Sequence, residues 1–316
     1  MTECIICRQA TPDERLSREH IFPEALGGRL VTTRVCAACN SRLGQIADAP
    51  LVNNPLLQIA RYAQGVAGKS GVPNPFAGPA HLAGDPTRKV RIHPDAQGVA
   101  RIHHLPRKEE SVDADGVVRF RLDIDVRDRR ELPTMVNKIL ERAGAPPVSA
   151  EDVLGNARIV QHAPTVEQTL SYDLGSPMLG MLKIAYELAH HWLGDSYLGD
   201  PASRVIAEAL LSGEEDWIDK FRIRGRIGLS EEQHLLRWWS DERSSLIAIL
   251  ARGGGRLMVM ATIYHVFDGC VVISDRADRY EPVQERFLAI DAVTGTMREG
   301  SFEEEIASKL AGDDGE

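Results

Sequence analysis

Apolar and polar positions follow two rhythms along this 316-residue chain. Between Arg88 and Arg127 the period is two. The runs Arg-Lys-Val-Arg-Ile-His, Val-Ala-Arg-Ile-His-His-Leu and Val-Val-Arg-Phe-Arg-Leu-Asp-Ile-Asp-Val predict three strands. In the last, Val118, Phe120, Leu122, Ile124 and Val126 share one face, and Arg119, Arg121, Asp123 and Asp125 the other. Asp115-Gly116 supplies the turn before it, and an antiparallel sheet with one wet face follows. Elsewhere the period is helical. A helix is predicted over 48–65 on Leu56, Leu57, Ile59, Ala60 and Ala63, and another over 131–143 on Leu132, Met135, Ile139 and Leu140, stopped by Gly144. Ser176-Pro177 opens the strongest helix, in which Leu179, Leu182, Tyr186, Ala189 and Leu193 recur at helical spacing before Gly194. Asp200-Pro201 opens a further helix through Leu211. Runs at 234–239, 245–251, 256–266 and 270–274 predict a second, mostly antiparallel sheet, with Gly253-Gly254-Gly255 and Asp268-Gly269 as its turns. The acidic tail from Phe302 frays after a short helix through Leu310.

These elements define an α+β chain. Residues 1–65 form a cysteine-bearing module. Residues 66–87, rich in Gly, Pro and Ala, are a linker. A small α+β unit spans 88–150, and a helical plus antiparallel-sheet domain with an acidic tail spans 151–316. Gly68-Lys69-Ser70 lacks the glycine spacing and preceding strand of a phosphate-binding loop. Trp217, Trp238 and Trp239 read as core or interface anchors rather than base-stacking residues. No apolar run approaches the length of about 18 residues that a membrane span needs.

Net charge is −9, which argues against indiscriminate polyanion binding. The distribution changes that picture. Residues 1–70 hold eight Lys or Arg against six Asp or Glu, so the acidity lies in the remainder. Arg18, Arg29, Arg34 and Arg42 therefore stand as candidate phosphate contacts, with ordinary solvated charge as their alternative.

The densest chemistry lies between Cys4 and Asp48. Cys4-Ile-Ile-Cys7 and Cys36-Ala-Ala-Cys39 are two Cys-x-x-Cys turns, each aiming two thiolates at one spot. Four thiolates suit structural Zn²⁺. Two disulfides or a redox motif are the alternatives. No leader precedes Cys4, which implies a reducing, cytoplasmic compartment and weighs against disulfides. Cys270 falls in an apolar run and reads as a buried small hydrophobe. The 28 residues between Cys7 and Cys36 must leave the cysteine site and return as a folded excursion.

That excursion carries Glu19-His20, Pro23 and Gly27-Gly28, and Asn40 directly follows Cys39. The combination resembles the HNH, or ββα-metal, endonuclease family, in particular a four-cysteine branch whose second knuckle continues as Cys-Asn-x-x-Leu-Gly and then an Asp. The resemblance covers residues 4–48. It implies a β-hairpin packed on a helix around one divalent cation. His20 would be the general base that takes a proton from the attacking water. Glu19 and Asn40 would bind Mg²⁺ or Mn²⁺ through oxygen atoms, with Asp48, eight residues past Asn40 on the same helical face, as a further ligand. Asp48 otherwise reads as a surface charge or a partner of Arg42 or Arg61. Taken singly, Glu19 is an ordinary surface acid and Asn40 a helix N-cap. One departure stands out. The family's middle Asn, which braces the loop beside the base, falls here near Val31 to Thr33. A Thr hydroxyl offers a similar bond and Val does not.

The expected activity is metal-dependent hydrolysis of phosphodiester bonds in DNA, with the choice between DNA and RNA left open by the sequence and defence against foreign DNA as a role by analogy. Residues 88–316 would then supply target choice, a homo-oligomer contact or a regulatory partner. The competing expectation is a non-catalytic zinc knuckle that binds nucleic acid or protein. Glu19-His20, which such a knuckle does not need, separates the two.

Overall fold

The computed structural model describes residues 1–95, 99–112, 114, 116–161, 164–171, 175–213, 224–227, 236, 239, 245–281 and 283–313. The chain is α+β and divides into two compact units. One joins Met1–Pro73 to Ser171–Glu316, and the other is Asn74–Leu170. The amino-terminal seventy residues thus share a unit with the carboxy-terminal half. Among the described residues no helix is long and apolar enough to cross a membrane.

In the first unit, the hairpin strands Leu16–His20 and Val31–Cys36 run antiparallel and lead into the helix Ala37–Leu43. That helix continues through a π turn, Gly44–Asp48, into Ala49–Val52. The single helix expected over 48–65 is broken here. The Asn54 side chain accepts from Leu56 N and Leu57 N, and Pro55 has no N–H to continue the ladder, so a new helix, Pro55–Gln64, begins.

The long helix Ser176–Leu193 is the structural axis of this unit. It packs on Gly44–Asp48 and Ala49–Val52, and on the strands Arg256–Ile263 and Phe267–Ser274. Two glycines set these distances. A Cβ on Gly180 would lie 2.9 Å from the Ala47 carbonyl oxygen, and one on Gly269 would lie 2.3 Å from the Met181 side chain. The predicted apolar positions Leu179, Leu182, Tyr186, Ala189 and Leu193 are all buried, as is everything from Met181 to His190. A helix apolar around most of its circumference belongs in an interior. Lys183 and Glu187 are therefore buried too.

The large sheet has six antiparallel strands in the order Arg224–Ile227, Phe267–Ser274, Arg256–Ile263, Ser245–Gly253, Arg286–Asp291, Met297–Ser301. The first strand and the last two are not among the runs expected from sequence. The expected turn at Asp268-Gly269 lies inside a strand. The chain instead reverses at Tyr264–Val266, where Tyr264 and His265 both take φ near 55°. Such backbone is uncommon for bulky residues. Tyr264 is held there by burial and by its hydroxyl, which donates to the Leu26 carbonyl at 2.6 Å. The tail is a helix, Phe302–Asp313. The run 234–239 lies outside the described residues except for buried Leu236 and Trp239, and Trp217 and Trp238 also lie outside them. Cys270 is half-buried rather than buried.

The second unit holds a four-stranded sheet in the order Val166–Gln168, Ala80–Leu82, Asp85–Pro94, Ala100–His104. Two of its strands begin within the stretch expected as a linker. Arg107–Val112, not anticipated, pairs with Val118–Asp123 as a separate ribbon. The strand expected to reach Val126 stops at Asp123, because Asp125 caps the next turn by accepting from Arg127 N and also binds His104 N. His103, on the strand Ala100–His104, pairs with Asp128 at 2.8 Å.

Candidate active site

Four thiols meet where the amino terminus crosses the base of the hairpin. The Sγ atoms of Cys4, Cys7, Cys36 and Cys39 all lie within 4.8 Å of one another, and those of Cys7 and Cys36 are 4.0 Å apart. A tetrahedron with Zn–S bonds of about 2.3 Å has edges of about 3.8 Å, so the set fits zinc. All four cysteines are free of disulfides. The Cys36 N–H donates to Cys4 Sγ at 3.3 Å. The neighbouring Cys39 thiol and this backbone donor lower the pKa of the Cys4 thiol, and the same thiol contact raises that of Cys39. Among the described residues this is the one group of three or more His, Cys, Asp or Glu that close together.

The clamp fixes the hairpin. Ser17 pairs with Val35 and Glu19 with Thr32, so the register shifts between them and the ladder bulges. Bulges of this kind re-aim side chains. The Thr32 hydroxyl accepts from Arg34 N at 3.2 Å and serves the bulge. The loop beyond His20 is braced from elsewhere, by the Tyr264 hydroxyl on Leu26 O. Gly28 is required in this loop, since a Cβ there would sit 1.9 Å from the Phe22 carbonyl oxygen. Gly27 has φ 81° and its Cβ position is taken by Ala292.

Strand alternation sends Glu19 inward and leaves Arg18 exposed and His20 half-buried. Burial pulls the His20 imidazole below its ordinary value, against the opposing pull of Glu24, so the ring is neutral near pH 7 and can accept a proton. Glu19 is 2% exposed and meets the Lys183 ammonium from the long helix. Lys183 Nζ also donates to the His20 carbonyl at 2.7 Å and to Asp48 at 3.0 and 3.2 Å. An ammonium has three donors, and these three acceptors use them. Glu187, one helical turn on, comes within 3.8 Å of Nζ, yet neither of its oxygens accepts a hydrogen bond. Burial pushes Glu187 well up, offset in part by Lys183, and raises Glu19 in the same way. Burial would lower Lys183, but Glu187, Asp48 and Glu19 together hold it above its usual value.

The other predicted residues fall as follows. Asn40 lies inside the first turn of its helix rather than at the cap. Its Nδ2 donates to Ser17 Oγ and to Arg18 O, both at 3.0 Å, tying helix to strand. Asp48 faces the long helix, not the strand that Asn40 meets, because the π turn intervenes. Its partner is Lys183, not Arg42 or Arg61. Arg34 pairs with Asp195 at 2.9 Å, and Arg42 donates to the Ser212 carbonyl at 3.3 Å, so both also anchor the carboxy-terminal segment. Arg18 and Arg34 line an open groove of about 400 Å³ with Ser17 and Thr33. Arg29 is exposed. Lys183 and Glu187 were missed from sequence. Their signal was two opposite charges four residues apart in an otherwise apolar helix.

The Glu19 and Asp48 carboxylates converge on one point, which the Lys183 ammonium holds. No hydrogen bond engages the Asn40 amide oxygen among the described residues. Carboxylate and amide oxygens are donor types that Mg²⁺ accepts, but here Glu19 and Asp48 turn to Lys183 while Asn40 turns to Ser17 and Arg18.

Comparison with known proteins bears on this region alone. Residues 4–56 match the family model described as HNH endonuclease. No curated protein and no solved structure matches the chain. The matched segment contains both cysteine pairs, the hairpin, Asn40 and Asp48, but neither Lys183 nor Tyr264. By its amino-terminal segment, residues 4–56, this chain is similar to the HNH endonucleases.

Proposed function

We propose that the protein is a metal-dependent endonuclease that hydrolyses phosphodiester bonds of DNA. The observation that carries this reading is the placement of His20. Its half-buried, neutral imidazole stands at the open end of a hairpin clamped by the cysteine cluster, inside the segment that matches the nuclease family. His20 takes the proton of the attacking water. Glu19, Asn40 and Asp48 are the residues that would hold Mg²⁺ or Mn²⁺, which when bound stabilises charge on the phosphate and the leaving oxygen. Asn40 locks helix to strand through Ser17 and Arg18 and so fixes the distance between base and ligands. The groove beside Arg18, which Asp13 also lines, offers the Arg18 guanidinium to the phosphate backbone, and contacts made there weaken as salt rises. Defence against foreign DNA is consistent with this activity.

One observation favours a second reading, a zinc-clamped binding module that does not cut. Lys183 already neutralises Glu19 and Asp48. Supercoiled plasmid decides between them. The nuclease reading expects nicks with 5′-phosphate and 3′-hydroxyl ends in Mn²⁺ or Mg²⁺ and none in EDTA. Plasmid and RNA bound but uncut under every cation would establish the binding module.

A further inference from the structure

The His20 strand is gripped from a place the family match does not reach. Lys183 enters from the long helix, 163 residues away in sequence, and is wholly buried. Its three donors go to the His20 main-chain carbonyl, to Glu19 and to Asp48. Every one of these acceptors belongs to, or adjoins in the chain, a residue with a role in the proposed reaction. A cross-link needed for stability alone would be as well served by apolar packing, since replacing a buried ion pair with apolar side chains is often neutral or stabilising. The uneven treatment of its two acidic neighbours points the same way. The carboxylates of the amino-terminal segment receive close contacts, whereas Glu187 on Lys183's own helix is left at 3.8 Å without a hydrogen bond.

We propose that Lys183 is a positioning residue of the nuclease centre: its ammonium sets the His20 main chain and the Glu19 and Asp48 carboxylates in one arrangement, making the long helix part of the active site. This rests on the nuclease reading above. Lys183 touches no substrate. It acts through the three groups it holds, and a displacement of about 1 Å at such groups costs on the order of 100-fold in rate.

The test uses the full chain as Lys183→Met, the double variant Lys183→Met with Glu187→Met, and Glu187→Gln. The double variant removes Glu187, one of the three carboxylates that the single one leaves without their cation, so it keeps the buried charge closer to balance. Three readouts are taken: zinc content with thermal melting, the His20 side-chain ¹H–¹⁵N signals assigned through His20→Ala, and kcat and KM on plasmid with Mn²⁺. The expected result is a folded, zinc-loaded double variant with displaced His20 signals, kcat lowered about 100-fold and KM within about threefold of the parent. Glu187→Gln should leave signals and rates unchanged. His20 signals and kcat that match the parent in the folded double variant would overturn the proposal. Loss of zinc and fold in both Met variants would also overturn it, by making Lys183 a folding residue. Should the parent cut no substrate, the nuclease reading fails by itself, and the His20 signals still report whether Lys183 sets that side chain.

Discussion

The first unit contains two charged clusters built on opposite principles. The cysteine clamp is four like groups without a cation of their own, gathered from two short turns. The Lys183 cluster carries its own cation and gathers its acids from three distant segments. The first depends on something from solution and binds two ends of one local excursion. The second is self-contained and binds the carboxy-terminal half to the hairpin. The hairpin that bears His20 is therefore held twice, from its base by sulfur and from its inner face by an ammonium. Either hold alone leaves the other end of the strand free to move.

Removing the clamp should have the largest effect. Zinc in small thiolate sites contributes on the order of 10 kcal/mol of binding free energy. Cys36→Ser, or a strong chelator, should release about one zinc per chain and unfold the amino-terminal segment, read by metal analysis and amide exchange. Retention of full protection without zinc would break the comparison. Lys183→Met comes next. It strands buried carboxylates, a change that costs roughly 3–5 kcal/mol, measurable by urea denaturation. Tyr264→Phe should cost about 1–2 kcal/mol, because the Leu26 carbonyl loses its donor in a buried loop.

Glu187→Gln should be the mildest change, and of opposite sign. Burial holds the folded Glu187 carboxyl well above its unfolded value. The folded state then binds the proton more readily than the unfolded state, so this group's contribution to stability falls as pH rises past about 4.5. The amide lacks that loss. The variant should melt higher than the parent at pH 7 and converge with it near pH 4, as scanning calorimetry across that range will show. A lower melting point at pH 7 would mean that Glu187 is needed as the charged partner of Lys183.

The two clusters also differ in how far sequence betrays them. Cys-x-x-Cys spacing, Glu19-His20 and Cys39-Asn40 are local, so chemistry and placement could be read together. The Lys183 cluster joins residues 135 and 163 positions apart, and no spacing rule spans that gap. Only the oddity of Lys183 and Glu187 in an apolar helix marked it. Asn54-Pro55 did carry a legible capping signal, which the apolar face running through 56–63 outweighed. Tyr264-His265 carried none, since a bulky pair in left-handed backbone is a tertiary outcome fixed by Leu26 and the core. The fold class and the amino-terminal module were legible for this reason. The union of that module with residues 171–316 was not, because it rests on burial of a helix whose outer and inner faces look alike in sequence.

The central claim is that His20 is the base of a nuclease. The most direct test compares plasmid nicking by the parent and by His20→Ala, each verified to hold zinc, in Mn²⁺ at pH 7.5. The account predicts a rate about a thousandfold lower in the variant, within the range for loss of a general base. Equal rates in the two proteins would contradict it.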